Sequence, residues 1–280
     1  MLHTASTRVL DSRDRVAVAA LLEVDPVLDV FVASRVQAAG LESWRLGAEL
    51  WGYGPSGRLE ALCYSGANLV PVQAGPDAVR SFAERARRQG RRCSSIVGPA
   101  DAVAELWQRL EPSWGPAREV RARQPLLVLD GPPALPADPR VRPVRPDELD
   151  VLLPACVAMF TEEVGVSPTV ADGGALYRAR VRELIAQGRA YARIEDGRVL
   201  FKAEVGAATR ATCQVQGVWV DPALRGRGLG SAGTAAVVDL ARRQVAPVVS
   251  LYVNDFNTAA RRSYERVGFT SAGTCASILF

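Results

Sequence analysis

The chain has 280 residues, 48% of them apolar, which is enough for more than one buried core and too many for a disordered polymer. A formal charge of +4, with arginines dispersed over expected helix faces, fits a solvated surface and argues against a nucleic-acid-binding stripe. Five cysteines without CxxC spacing and one histidine, His3, argue against a disulfide framework, a metal site and His-dependent nucleophilic catalysis.

Any base working near neutral pH is therefore a carboxylate, a perturbed lysine or tyrosine, or water. The apolar run at 16–22 falls well short of the roughly 20 residues of a membrane span, and no signal segment precedes it, so a cytoplasmic protein with no membrane partner is expected. Of 34 basic residues only Lys202 is a lysine, which singles it out for inspection.

In chain order, "ALCYSGANLVPV" reads as a strand, "GPDAVRSFAERARRQG" as a helix, "RCSSIVG" as a strand, "DAVAELWQRLEP" as a helix and "REVRARQPLLVLD" as a strand. The stretch 129–150 is dense in proline and reads as a linker, giving a first domain at 1–133, a linker at 134–139 and a second domain at 140–280. The second half then reads as strand 141–144, helix 146–160, a loop through "TEEVGVSP", helix 175–187, and strands 190–194, 199–205 and 213–220. A glycine loop follows, then helix 231–243, strand 248–253, helix 258–267 and a strand in "SAGTCASILF". Asn257 fits an N-cap for helix 258–267 and Gly268 its C-terminal stop. The order of elements in the first half echoes that from Cys213 onward, but where the second half has its glycine loop the first has only "QAGPDA".

The loop "DPALRGRGLGSAG" joins a strand to a helix. Such a turn offers unpaired amides at a helix N-terminus with the positive end of the helix dipole behind them, and Gly226, Gly228 and Gly230 let an anion approach the backbone. The spelling fits neither a dinucleotide fingerprint, which needs glycine or alanine where Ser231 stands and a ribose-binding acid after the next strand, nor a P-loop, which needs GK[ST].

The run "VWVDPALRGRGLG" resembles motif A of the GCN5-related N-acetyltransferases (GNAT), through Arg225, Gly228 and Gly230. "NTAARRSYERVGF" is similar to the family's later landmark, through Asn257, Tyr264, Gly268 and Phe269. The resemblance covers about residues 140–280, and the whole chain resembles actinobacterial two-part members with an uncharacterised N-terminal domain. It implies an α/β (α+β) GNAT fold, a mixed and splayed central sheet flanked by helices, as a tandem pair with a degenerate N-terminal copy.

It further implies acetyl-CoA as co-substrate and an amine-bearing acceptor. The amides of Arg225, Gly226, Arg227, Gly228, Leu229, Gly230 and Ser231 would hold the pyrophosphate, and the edge of Val218, Trp219 and Val220 would pair with the pantetheine arm. Asn257 would contact that arm, and Tyr264 would protonate the departing thiolate. The glutamates that relatives use as base are replaced here by Gln214 and Tyr252. Glu204 is then the candidate base, with Glu162, Glu163 and Lys202 as candidate acceptor-side residues. The bland readings are a solvated pair for Glu162 and Glu163 and a simple ion pair for Lys202 and Glu204. The alternative function is a non-catalytic acyl-CoA sensor; the expected assembly is a monomer or homodimer.

Overall fold

The structure is a computed structural model describing residues 6–170 and 172–280, so His3 lies outside the described residues. In chain order the strands and helices are β1 (Ser6–Val9), α1 (Arg15–Leu22), α2 (Val30–Ala39), α3 (Ser43–Leu46), β2 (Glu49–Gly54), β3 (Ala61–Ser65), β4 (Asn68–Val72), α4 (Pro76–Gln89), β5 (Ser95–Pro99), α5 (Ala100–Trp114) and β6 (Glu119–Leu129). They continue as β7 (Arg142–Pro143), α6 (Leu149–Val164), α7 (Ala175–Ala186), β8 (Ala190–Glu195), β9 (Arg198–Ala208), β10 (Thr212–Val220), α8 (Leu229–Gln244), β11 (Val248–Tyr252), α9 (Thr258–Val267) and β12 (Thr270–Leu279).

The chain divides into two compact units that are not contiguous in sequence. One holds the chain up to Leu126 with Tyr252–Phe256 and Ala272–Phe280; the other holds Leu127–Leu251 and Asn257–Ser271. This differs from the expected division at 133 and 140, because the strand expected to end the second domain lies largely in the first unit. Residues 134–139 are also no free linker: Ala134 donates to the Val267 carbonyl, Asp138 donates through its backbone to Ala232, and its carboxylate takes Arg193 at 2.9 Å.

In the first unit β1, β2, β3 and β4 follow one another as antiparallel neighbours, β5 lies parallel to β4, and β12 runs antiparallel to β5. The run expected as one strand from Ala61 is a hairpin, turned at Gly66, whose amide bonds the Asn68 carbonyl. Helix α4 forms where Pro76 supplies a preset first turn and Ala78, Val79, Phe82, Ala83 and Ala86 make an apolar stripe. That stripe packs with Val103, Leu106 and Ile278, each fully buried large side chain stabilising by roughly 1.5–3 kcal/mol. A second cluster, with Leu10, Val18, Leu50 and Leu62, forms separately.

In the second unit β9 pairs antiparallel with both β8 and β10, β7 closes one side, and β11 lies parallel to β10. Helices α6 and α7 bury Leu152, Cys156, Leu184 and Ile185 with Ala190 and Ala192 of β8. Alternation along β9 aims Phe201 the other way, toward α8, where a Cβ on Gly233 would come within 2.6 Å of its ring. Only glycine lets this helix approach so closely. Among the described residues no helix is long and apolar enough to cross a membrane.

Candidate active site

The site is built where β10 leaves its neighbours. β10 and β11 are paired at Thr212–Val248, Cys213–Val249 and Gln214–Ser250, while β10 continues to Val220. On its other side the register against β9 slips between Gln216, opposite Glu204, and Trp219, opposite Lys202. Gly217 absorbs the irregularity with φ +60°, a conformation that a side chain would strain. A Cβ there would also lie 3.0 Å from the Lys202 Nζ and 3.3 Å from the Glu204 Cδ. The segment Val218, Trp219 and Val220 thus lies beyond the β11 ladder, rejoins β9 at Trp219 and Val220 after the slip, and is half-buried.

Beneath Gly217 sits a buried polar cluster. Lys202 is 1% exposed, and its ammonium donates to Glu204 Oε2 at 3.0 Å and to Cys156 Sγ at 3.6 Å. The other carboxylate oxygen of Glu204 accepts from Gln216 Nε2 at 2.9 Å. Burial alone would raise the Glu204 pKa, but the charge of Lys202 and the Gln216 hydrogen bond outweigh it and hold the carboxyl below its usual range. Burial likewise works against the Lys202 charge, and Glu204 more than offsets it, so the ammonium titrates above its usual value. The expected i, i+2 pairing of these two side chains on one strand face is found.

The glycine loop runs from a short turn, Pro222–Leu224, capped by the Asp221 carboxylate, into α8. Gly226 and Gly228 have φ +76° and +81°, and nothing lies within 4 Å of a Cβ built on either. Gly228 is the N-cap of the 16-residue α8 and no side chain caps that end. The first amides of α8 therefore face open space with the helix dipole behind them. Behind the turn, the Ser231 hydroxyl meets Ser263 at 2.9 Å and receives Arg266 at 2.9 Å, which ties the first turn of α8 to α9.

Arg225 points elsewhere. Its Nε donates to the Val220 carbonyl at 3.0 Å and its Nη2 to Glu162 Oε2 at 2.7 Å, while Glu162 Oε1 accepts from the Trp219 indole at 3.2 Å. Glu162 and Glu163, expected in a loop, lie in the last turn of α6, which stops at Gly165 with φ +78°. Glu162 is thus exposed, as a solvated acid would be, yet it also links α6, β10 and the glycine loop.

Asn257 caps α9, its Oδ1 accepting from the Ala260 amide at 3.1 Å, and Gly268 closes the helix with φ +108°. Tyr264 is buried with its ring edge-on to Phe269, centroids 6.0 Å apart. Burial first, and the nearby Glu163 charge second, push its phenol well above the usual tyrosine value, so it is protonated at neutral pH. Sequence reasoning missed Gln216, Gly217, Cys156 and Arg266. The glycine in a strand-reading run was the signal for the irregularity at Gly217, whereas the partnerships of Cys156 and Arg266 are tertiary.

Comparison with known proteins bears on this geometry. Residues 175–269 match the Acetyltransferase (GNAT) family, and residues 48–152 match a domain of unknown function, DUF4081. A mycothiol acetyltransferase of Mycobacterium leprae is 44% identical over 73 residues, 24% of this chain and 24% of that protein. Such a match spans about a quarter of the relative's length. Among solved structures, a GNAT-family acetyltransferase from Colwellia psychrerythraea aligns at TM-score 0.56 and 13% identity over 98% of this chain and 99% of that one. A tandem GNAT protein from the clavulanic acid biosynthesis pathway aligns at TM-score 0.53 and 14% identity, covering 99% and 98%. The structural likenesses show the fold, a mixed sheet flanked by helices, in tandem form. Residues 175–269 are thus similar to the GNAT acetyltransferase family, and they follow a segment that matches a domain family of unknown function.

Proposed function

We propose that the protein transfers an acetyl group from acetyl-CoA directly to an amine, using the second unit. The observation that carries this reading is a coincidence in space: β10, which parts from β11 after Gln214 and slips against β9 at Gly217, leads through one short turn into an uncapped, glycine-lined helix N-terminus. An anion held by the amides of Gly226–Ser231 would lay an attached chain along Val218, Trp219 and Val220 on the side that β11 has left, where backbone groups can pair with it. The residues present fit such a ligand, since no Cβ obstructs Gly226 or Gly228.

Acetyl-CoA supplies an activated thioester, and the protein's task is to position the amine and move protons. A backbone amide of the irregular β10 segment polarises the thioester carbonyl. Tyr264, buried and protonated, would donate to the leaving thiolate and recover its proton from the one that the attacking amine gives up. Asn257, at the entry of α9, lines the cofactor arm. Glu204 has both oxygens occupied, by Lys202 and Gln216, which favours a role in holding the β10 irregularity over one as a free proton acceptor. The same observation favours a second reading, a protein that binds acyl-CoA without turning it over.

Calorimetric titration with CoA and acetyl-CoA tests the first step, with Gly228→Glu as the blocked loop. One site per chain, lost in the variant while its circular dichroism is kept, is the expected result. Binding that survives Gly228→Glu would remove the loop from the site. Thiol release from acetyl-CoA in the presence of an amine panel separates the transferase from the sensor.

A further inference from the structure

We propose that Glu162 is a positioning residue that competes with the cofactor's pyrophosphate for Arg225, so that cofactor binding uncovers a carboxylate at the end of α6. This rests on the acetyl-CoA reading above. In the structure the Arg225 guanidinium is folded back along β10, bonded to the Val220 carbonyl and to Glu162, although its own backbone opens the glycine loop. The other acid at the loop, Asp221, is already occupied: Oδ2 takes Arg198 and Oδ1 caps the following turn. Glu162 is therefore the carboxylate that Arg225 meets.

The pair is also cheap to open. The two side chains are 48% and 46% exposed, and ion pairs so open to solvent are weak. A pyrophosphate with several anionic oxygens, seated on helix amides one turn away, is the stronger partner for the same guanidinium. Glu162 stays tethered when Arg225 leaves, because the Trp219 indole donates to its second oxygen. The carboxylate is thus left charged, uncompensated and fixed beside the free edge of β10, where it favours an acceptor entering as an ammonium ion over a neutral or anionic one.

The test is a double-mutant cycle on CoA affinity, read by calorimetry with Glu162→Gln, Arg225→Gln and the double variant of the full chain. With Arg225 present, Glu162→Gln tightens CoA about two- to fivefold, the reach of an exposed ion pair. In the Arg225→Gln background the same change has no effect on affinity. Equal tightening in both backgrounds would reflect only the removal of a negative charge, and would overturn the proposal, as would unchanged or weaker binding with Arg225 present. A wild-type chain that fails to bind CoA would strike the acetyltransferase reading itself; one that binds CoA without this coupling would strike only the role of Glu162.

Discussion

Each unit contains a strand that lies parallel to its neighbour, parts from it, turns, and enters a helix. In the second unit β10 parts from β11 after Gln214 and Ser250, and the turn ends in glycines with open space around them. In the first unit β4 and β5 pair at Asn68–Ser95 and Leu69–Ile96, and beyond that Pro71 lies within 3.3 Å of a Cβ built on Gly98. The gap is filled by a residue with no amide to offer. The turn that follows is spent as well: Gln73, at φ +50°, gives its side chain to the buried Asp29, and Pro76 deprives the first turn of α4 of a donor. Topology alone therefore does not make an anion site; the donors must be present and unobstructed.

The largest effect that would probe this contrast lies under the second cleft. Glu204→Gln leaves Lys202 buried without its counter-charge and is expected to cost about 3–5 kcal/mol of stability by denaturant unfolding, with Lys202→Met/Glu204→Gln recovering much of it. Because the Glu204 pKa is lowered by folding, its stabilising share is in place above the ordinary carboxylate range and fades as pH falls through the lowered value. An unchanged midpoint in the single variant would mean that the pair carries no weight.

In the first unit the sign reverses. Burial, against the Gln73 hydrogen bond, pushes the Asp29 carboxyl up to about 7. A carboxyl raised by folding stabilises at low pH and loses that contribution as pH rises toward its folded value. Asp29→Asn should therefore protect the first unit, its advantage growing by about 2–3 kcal/mol between pH 5 and pH 8 in amide hydrogen exchange. A flat difference across that interval would contradict the assignment.

Smaller changes sharpen the same comparison. Gly98→Ala, at φ +154° against Pro71, should destabilise the first unit by about 1–2 kcal/mol while leaving CoA titration untouched. Altered CoA affinity would mean that the closed gap takes part in binding. Asn257→Ala removes the α9 cap and should lower thermal stability by about 1 kcal/mol. A larger loss of CoA affinity than of stability would place its side chain on the cofactor.

Local signals made much of the second unit legible. Helix α9 is found at the expected residues because Asn257 and Gly268 are both strong punctuation. Helix α6 outran its expected end at Phe160, since two glutamates continue a helix willingly and Gly165 is the true stop. The β3–β4 hairpin hid in a run read as one strand, although Ser65-Gly66 and Asn68 interrupt its apolar residues. The Glu162 clasp joins residues 57 and 63 positions apart, which no window of sequence can register.

The placement of β12 bears on how the polypeptide reaches its native state. Ala276 and Ile278 pack into the core formed by Phe82 and Leu106, and Cys275–Leu279 ladder onto Ser95–Pro99. During synthesis that edge waits unpaired while the whole second unit is made, an aggregation-exposed interval and a non-local closure that slows folding. The first unit is thus the earlier to be translated and the later to be finished.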